Sequence, residues 1–329
     1  MTLPAELRHA IEELATTVSG STLARAAADL TEAYKPGSDR DHRQQPSVFS
    51  NDAHRVAYAV VRMPATYAAC EHVFRQVALR MPGFAPRTAL DLGCGPTTAS
   101  WAAASMFPTL EGITLVERDA GLIELGKRLS AEAPPALRNA EWLRRDLASG
   151  IPEGTWDLVI ASYAIGELTQ AQRAELLARA WKATSGALVI VEPGTRPGFG
   201  VIHSAREQLI ACNAQIAAPC PHASACPMAA EGDWCHFAAR LERTAAHRRA
   251  KGGDLAYEDE KFSYIAAAKS EATPARSRIV RHPVRNPGHT QLTLCTAEGL
   301  KRQTIGKSAK DLYRAAKKSD WGDAWELQS

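Results

Sequence analysis

From Arg87 onward the chain alternates short apolar runs with helical stretches, and this rhythm constrains its fold more than any other feature. The runs are TALDL (88–92), ITLVE (113–117), WLRRDL (142–147), WDLVIASYAI (156–165) and ALVIVEPG (187–194). Between them lie WAAASMF, AGLIELGKRLSAEA and AQRAELLARAWKAT, helical in pattern. Strands recurring every ~25–30 residues with helices between them return to one sheet in parallel. The expectation is therefore an α/β protein with a doubly wound sheet and helices on both faces.

Four segments follow from this pattern. Residues 1–84 read as a helical extension, with a helical run from Asp52 to Met81 broken near Pro64 and a loop from Lys35 to Asn51. Residues 85–194 form the cofactor-binding half of the α/β core. Residues 195–272 are a helical and Cys-rich insertion, in which FAARLERTAAHRRA reads as a polar helix. Residues 273–329 carry two strand-like runs around Asn286-Pro287-Gly288, expected as an antiparallel hairpin closing the parallel sheet, and then a basic tail. The amino terminus, MTLPAELRHAIEELA, carries Glu6, Glu12 and Glu13 and resembles neither a signal nor a transit peptide. No apolar run approaches the ~20 residues that span a bilayer. A cytoplasmic protein without a membrane partner is expected, and a monomer is the default.

The turn Asp91-Leu92-Gly93-Cys94-Gly95-Pro96-Thr97 joins the first strand to a helix. Glycines there permit a tight turn and close backbone approach to a ligand, while the amides of the helix start face it. Glu117 ends the second strand, where a carboxylate can take ribose hydroxyls. The pattern Asp-x-Gly-x-Gly resembles class I S-adenosylmethionine-dependent methyltransferases, with a Rossmann-like core. That resemblance implies that Asp91 holds the methionine ammonium, flanked by Gly93 and Gly95, and that Glu117 takes the ribose. It further implies that Asp146 and Leu147 meet the adenine, and that Ser162 and Tyr163 line the methyl-donor pocket. The third glycine position holds Thr97, whose hydroxyl can instead cap the helix. The stretch after the fourth strand lacks an Asn/Asp-Pro-Pro-Tyr-like motif, and Glu167 there reads as a dipole-favoured helix-start carboxylate rather than a general base. No catalytic residue can be named.

Seven cysteines in a chain of this kind argue for metal or isolated thiols rather than a disulfide framework. Cys220, Cys226 and Cys235 crowd into one Pro-rich segment with the spacing Cys-x5-Cys-x8-Cys. Turn-rich loops of this kind can gather three thiolates on one metal. Zinc could take these three with His222 or His236. An iron–sulfur cluster wants a fourth thiolate, which Cys295 could supply. Spacing alone does not choose between them.

A more specific resemblance rests on RMPATYAA (62–69), DLGCGP, LVERD (115–119), ASYAIGEL, VEPG, CPHxxxCP, DWCHF, YEDEKFSY (257–264) and LCTAEGL (294–300). Together they resemble the bacterial members of the mitochondrial small ribosomal subunit methyltransferase-like assembly-factor family. The resemblance implies a class I methyltransferase fold, a [4Fe–4S] cluster on Cys220, Cys226, Cys235 and Cys295, and association with the small ribosomal subunit and its rRNA. Zinc then becomes the alternative metal, and His222 and His236 cease to be ligands. The basic stretch between Thr273 and Ser319 has eleven Lys or Arg against two acidic residues, a net +9 in a chain of net +3. Arg276, Arg278, Arg281, Arg285, Lys301, Arg302 and Lys307 are the expected phosphate contacts, giving salt-sensitive RNA affinity. Trp321 and Trp325 are expected to pack the tail rather than stack on bases. Three functions compete: a methyltransferase acting on small-subunit rRNA or protein, a non-catalytic assembly factor on the same fold, and a zinc-bearing small-molecule methyltransferase for which the basic tail would be incidental.

Overall fold

The computed structural model describes residues 2–33, 51–252 and 255–326. Of the expected loop from Lys35 to Asn51, all but Asn51 lies outside the described residues. The chain divides into two compact units, 1–75 with 85–189 and 239–260, and 76–84 with 190–238 and 261–329.

The first unit begins with α1 (Ala5–Ala15) and α2 (Gly20–Ala33), which bury Leu7, Ile11 and Leu14, and Leu23, Ala27 and Leu30, at helical spacing. In α3 (Asp52–Val61) the N-cap Asn51 accepts the His54 amide at 2.9 Å. The break falls at Arg62, and α4 (Met63–Arg80) takes Pro64 in its first turn, where a missing amide costs no helical bond. The expected rhythm then appears as β1 (Thr88–Leu92), α5 (Thr98–Met106), β2 (Gly112–Glu117), α6 (Ala120–Leu129), α7 (Pro135–Arg138), β3 (Glu141–Arg144), β4 (Trp156–Ser162), α8 (Gln170–Ala183) and β5 (Thr184–Pro193). The strand order is β3-β2-β1-β4-β5, and the β1–β2, β2–β3 and β1–β4 pairs are parallel. The strand order reverses beside β1, and the carboxyl ends of the strands at such a switch point are where sheets of this kind bind ligands. α8 starts with a capping box in which Thr169 and Gln172 satisfy each other's backbone amides.

The second unit contains α9 (Arg196–Ala211), β6 (Gln215–Ala218), α10 (Pro227–Ala230) and the first residues of β7 (Phe237–Glu242). The polar helix expected across FAARLERTAAHRRA is corrected here. Phe237, Ala239 and Leu241 are buried in alternation, a period of two that makes the first half a strand. Only α11 (Ala245–Lys251), capped by Thr244 and belonging to the first unit, is helical. β8 (Tyr257–Ala268) follows, and the order β5-β8-β6 extends the sheet, with β6 antiparallel to β8. Residues of α4, β5, β7 and β8 fall in both units.

The hairpin also departs from expectation. β10 (Val284–Asn286) and β11 (His289–Thr296) do form the antiparallel turn around Pro287-Gly288. They join β9 (Ser277–Ile279) and β12 (Gly299–Gly306) in a separate four-stranded sheet instead of closing the parallel one. Ile279, Leu292, Leu294 and Ile305 leave that sheet an apolar face, which α12 (Lys310–Lys318) covers through Ala316 and Leu312, and Trp325 completes the layer. A hydrophobic face of this kind needs its own cover.

Gly194, which ends β5's run, packs where an added Cβ would lie 2.7 Å from the backbone of Lys261 and Phe262. Gly194→Ala is expected to destabilise the chain by about 1–3 kcal/mol through overpacking. Urea unfolding should show a lower midpoint at unchanged slope.

Candidate cofactor cleft and cysteine cavity

In the first unit the glycine turn is built as its sequence requires. Gly93 and Gly95 have φ of +69° and +52°, a left-handed region that glycine enters without strain. The amides of Gly93 and Cys94 both donate to the Val116 carbonyl, at 2.8 and 3.0 Å, tying the turn to the end of β2. A Cβ at Gly93 would stand 2.7 Å from Ala164 Cβ and 3.3 Å from Leu147, so both side chains close over it. Gly95 faces open space.

Asp91 is fully buried at the end of β1. Its Oδ2 accepts from Ser100 at 2.6 Å and its Oδ1 has no partner. Burial pushes its pKa up to about 7, against the opposing hydrogen bonds from Ser100. Glu117, raised by burial, accepts three backbone amides: Gly95 at 3.0 Å, and Arg118 and Asp119 at 2.8 Å. A carboxylate offers about four lone-pair sites, so one remains. Thr97 does not cap α5. It sits buried at φ +71° and its hydroxyl donates to the Pro96 carbonyl and pairs with Ser130, a non-glycine residue held in a region that costs about 1–2 kcal/mol.

Asp146 caps the short turn Leu147–Ser149 by accepting the Ala148 amide. Arg118 reaches Asp146 at 3.5 Å and Glu167 at 3.2 Å, so Glu167, the last residue of the short turn Ile165–Glu167, is ion-paired. Ser162 pairs with the buried Cys70 thiol at 3.2 Å. The structure thus gathers Asp91, Gly93, Gly95, Glu117, Asp146, Leu147 and Ser162 at the carboxyl edge of β1–β4. It also shows a network that no sequence pattern flagged as a unit. Tyr163 (φ +54°) donates to Glu260 at 3.0 Å, and Arg62 lies 3.6 Å from the same carboxylate oxygen. Arg62 and Glu260 each fall within a motif quoted above, and their separation along the chain hid the contact.

In the second unit Cys220, Cys226, Cys235 and Cys295 line one cavity of about 40 Å³, together with Phe199, His203 and Arg206 of α9 and Arg278 of β9. One water needs about 10–15 Å³. Among the described residues no group of three or more His, Cys, Asp or Glu is close enough to hold a single metal ion. Burial raises the thiols of Cys220, Cys235 and Cys295, the last to about 12, and each neighbouring sulfur adds to the rise. His222 Nε2 lies 3.7 Å from Cys295 Sγ, and burial and the charge of Arg206 lower its pKa. His236 is taken up in a stack with Trp234, 5.1 Å between ring centroids, edge-on to Trp321. Arg206 was missed in the sequence. The signal for it was an arginine in register with Phe199, Ile202 and His203, one helical stripe of i, i+3, i+4 and i+7.

The basic residues divide. Arg276, Arg285, Lys301, Arg302 and Lys307 are exposed. Arg281 is half-buried and paired with Asp233. Arg278 is a correction, because only 1% of it is exposed and its guanidinium serves interior carbonyls, so it presents nothing to a phosphate. Trp325 is buried in the small sheet's core, as expected.

Strand order, glycine turn and acidic strand ends define a class I methyltransferase-like fold. Residues 52–326 match the family described as mitochondrial small ribosomal subunit Rsm22, and the chain belongs to that family. It is 27% identical over 288 residues to the human mitochondrial ribosome assembly protein METTL17, covering 82% of this chain and 61% of that protein. It is also 27% identical over 339 residues to the mitochondrial Rsm22-cox11 tandem protein 2 of Schizosaccharomyces pombe, covering 84% of this chain and 44% of that one. The chain thus spans about half the length of the curated relatives it matches. A distant likeness extends to SAM-bound magnesium protoporphyrin IX methyltransferase of Synechocystis, at 12% identity and a TM-score of 0.45, over 72% of this chain and all of that one. No described helix is long and apolar enough to cross a membrane.

Asp91 carries a pH signature. Its folded pKa lies above its ordinary value of 3.8, so the folded chain holds a proton that the unfolded chain releases. Its contribution is present at low pH and is lost as pH rises from about 4 to 7, at up to about 1.4 kcal/mol per pH unit. Asp91→Asn should therefore gain stability relative to the parent across that window and level off above it. Urea midpoints from pH 4.5 to 8 check this, and parallel curves would refute it.

Proposed function

We propose that this chain is a maturation factor of the small ribosomal subunit that binds S-adenosylmethionine and carries a [4Fe–4S] cluster on Cys220, Cys226, Cys235 and Cys295. The observation that carries the reading is the convergence of these four thiols, from separate segments, on one cavity. Soft thiolates suit iron–sulfur clusters and zinc alike. The cluster is preferred to zinc on the resemblance of CPHxxxCP, DWCHF and LCTAEGL to the assembly-factor family. Family membership supports the ribosomal partner.

S-adenosylmethionine, when bound, supplies a methyl group on a sulfonium centre. The unpartnered Oδ1 of Asp91 suits an ammonium, and the open face of Gly95 suits close approach of a ligand. Glu117 would take the ribose, Asp146 and Leu147 the adenine edge, and Ser162 the donor side. Two observations favour the second reading, binding without methyl transfer. Glu117 already accepts three amides, so holding two ribose hydroxyls requires releasing one of them. Ala164 and Leu147 also cover Gly93.

The discriminating experiment supplies labelled S-adenosylmethionine and the anaerobically purified chain to small subunits from cells lacking it. Label that enters rRNA or protein and vanishes with Asp91→Ala establishes an enzyme. Co-sedimentation without label leaves an assembly factor on a methyltransferase fold.

Exposed Lys301, Arg302 and Lys307 are the proposed rRNA contacts. Changing all three to Glu should weaken co-sedimentation at least tenfold at low salt and flatten its salt dependence. Equal binding by both proteins would refute the assignment.

A further inference from the structure

The cysteine cavity holds two positive charges as well as four sulfurs. Arg206 and Arg278 both line it, with 3% and 1% of their surface exposed. A buried guanidinium without an anion is strongly unfavourable, by several kcal/mol even after relaxation. Arg278 donates only to neutral oxygens: Pro219 carbonyl at 3.1 Å, Gln76 Oε1 at 2.7 Å and Gly322 carbonyl at 2.9 Å. Among the described residues no carboxylate forms an ion pair with it, although Asp323 and Glu326 lie within its field. Arg206 has one carboxylate partner, the half-exposed Glu207, and spends Nη2 on the carbonyls of His222 and Ser224 at 2.9 and 2.6 Å. It also reaches the Cys220 thiol. Each arginine keeps one buried nitrogen without a partner, Nε of Arg206 and Nη2 of Arg278.

Resting on the cluster reading above, we propose that Arg206 and Arg278 are the positioning residues of the four-thiolate centre, matching its charge and setting its reduction potential. Four thiolates around a [4Fe–4S] core make a dianion; Arg278 would offset it with a charge that no carboxylate pairs among the described residues, and Arg206 with a charge it shares with half-exposed Glu207. Charge-assisted bonds from the spare nitrogens are the strong kind. Hydrogen bonds and net charge around the sulfurs are what set such potentials. Arg206 acts twice, because the carbonyls it grips belong to the loop that carries Cys220 and Cys226. A positive charge stabilises the more negative, reduced state, so its removal lowers the potential.

The test compares the full chain with Arg206→Gln and Arg206→Lys, purified anaerobically and titrated with dithionite under EPR. Arg206 is chosen because Arg278 also ties together the polypeptide around it. Iron and acid-labile sulfide are measured first. Their absence from the parent chain refutes the cluster reading and this inference with it. With the cluster present, Arg206→Gln should shift the reduction equilibrium at least tenfold toward the oxidised form, about 59 mV for one electron. Arg206→Lys should restore most of that shift. Unchanged potential in Arg206→Gln, or the same shift or cluster loss in Gln and Lys alike, overturns the proposal while leaving the cluster reading intact.

Discussion

The guanidinium of Arg278 is the point on which the second unit depends. Held on β9, it donates to the carbonyl of Pro219, one residue before Cys220, to the amide oxygen of Gln76 in the last turns of α4, and to the carbonyl of Gly322. Segments more than two hundred residues apart are thus fixed around one buried charge. Beside it, Arg206 grips the loop between Cys220 and Cys226. With these anchors the four sulfurs line one cavity.

The first unit solves a different problem. Its acidic groups lie at strand ends, where burial would otherwise penalise them. Glu117 is satisfied by three amides of the adjoining turns. Asp91 is satisfied only on one oxygen and is pushed toward neutrality. The unequal treatment of the two carboxylates bears on function. Glu117 holds the scaffold in shape, whereas Asp91 keeps an acceptor in reserve. A cleft arranged in this way can bind a cation at Asp91 without being optimised to grip a ribose at Glu117.

These two features point to one picture of the molecule. The methyltransferase-like unit supplies a rigid frame whose ligand edge is partly self-satisfied. The second unit buries Arg278 without a carboxylate ion pair among the described residues and lines the same cavity with four thiols, of which burial keeps Cys220, Cys235 and Cys295 protonated. Its small sheet, sealed by α12 and Trp325, presents exposed Lys301, Arg302 and Lys307. Binding of a cluster would link metal loading to the order of the cysteine loops, since the thiols must lose their protons to become ligands.

Much of this was legible in the sequence. The βαβ rhythm, the Asp-x-Gly-x-Gly turn, the hairpin around Pro287-Gly288 and the four cysteines are local patterns. Local geometry and period determine them, because a glycine turn or an alternating strand is set by its own residues and neighbours. What the sequence could not decide lay in long-range pairing. Charge counting grouped Arg278 with the surface arginines, and only burial separated it. The run FAARLE looked helical until alternating burial made it a strand. The hairpin was real, yet which sheet it joined depended on how apolar faces found cover. The Tyr163–Glu260–Arg62 network and the pairing of arginines with thiols also required tertiary structure. Local chemistry states what a residue can do; the removal of water, which depends on the whole chain, decides which of those capacities is used.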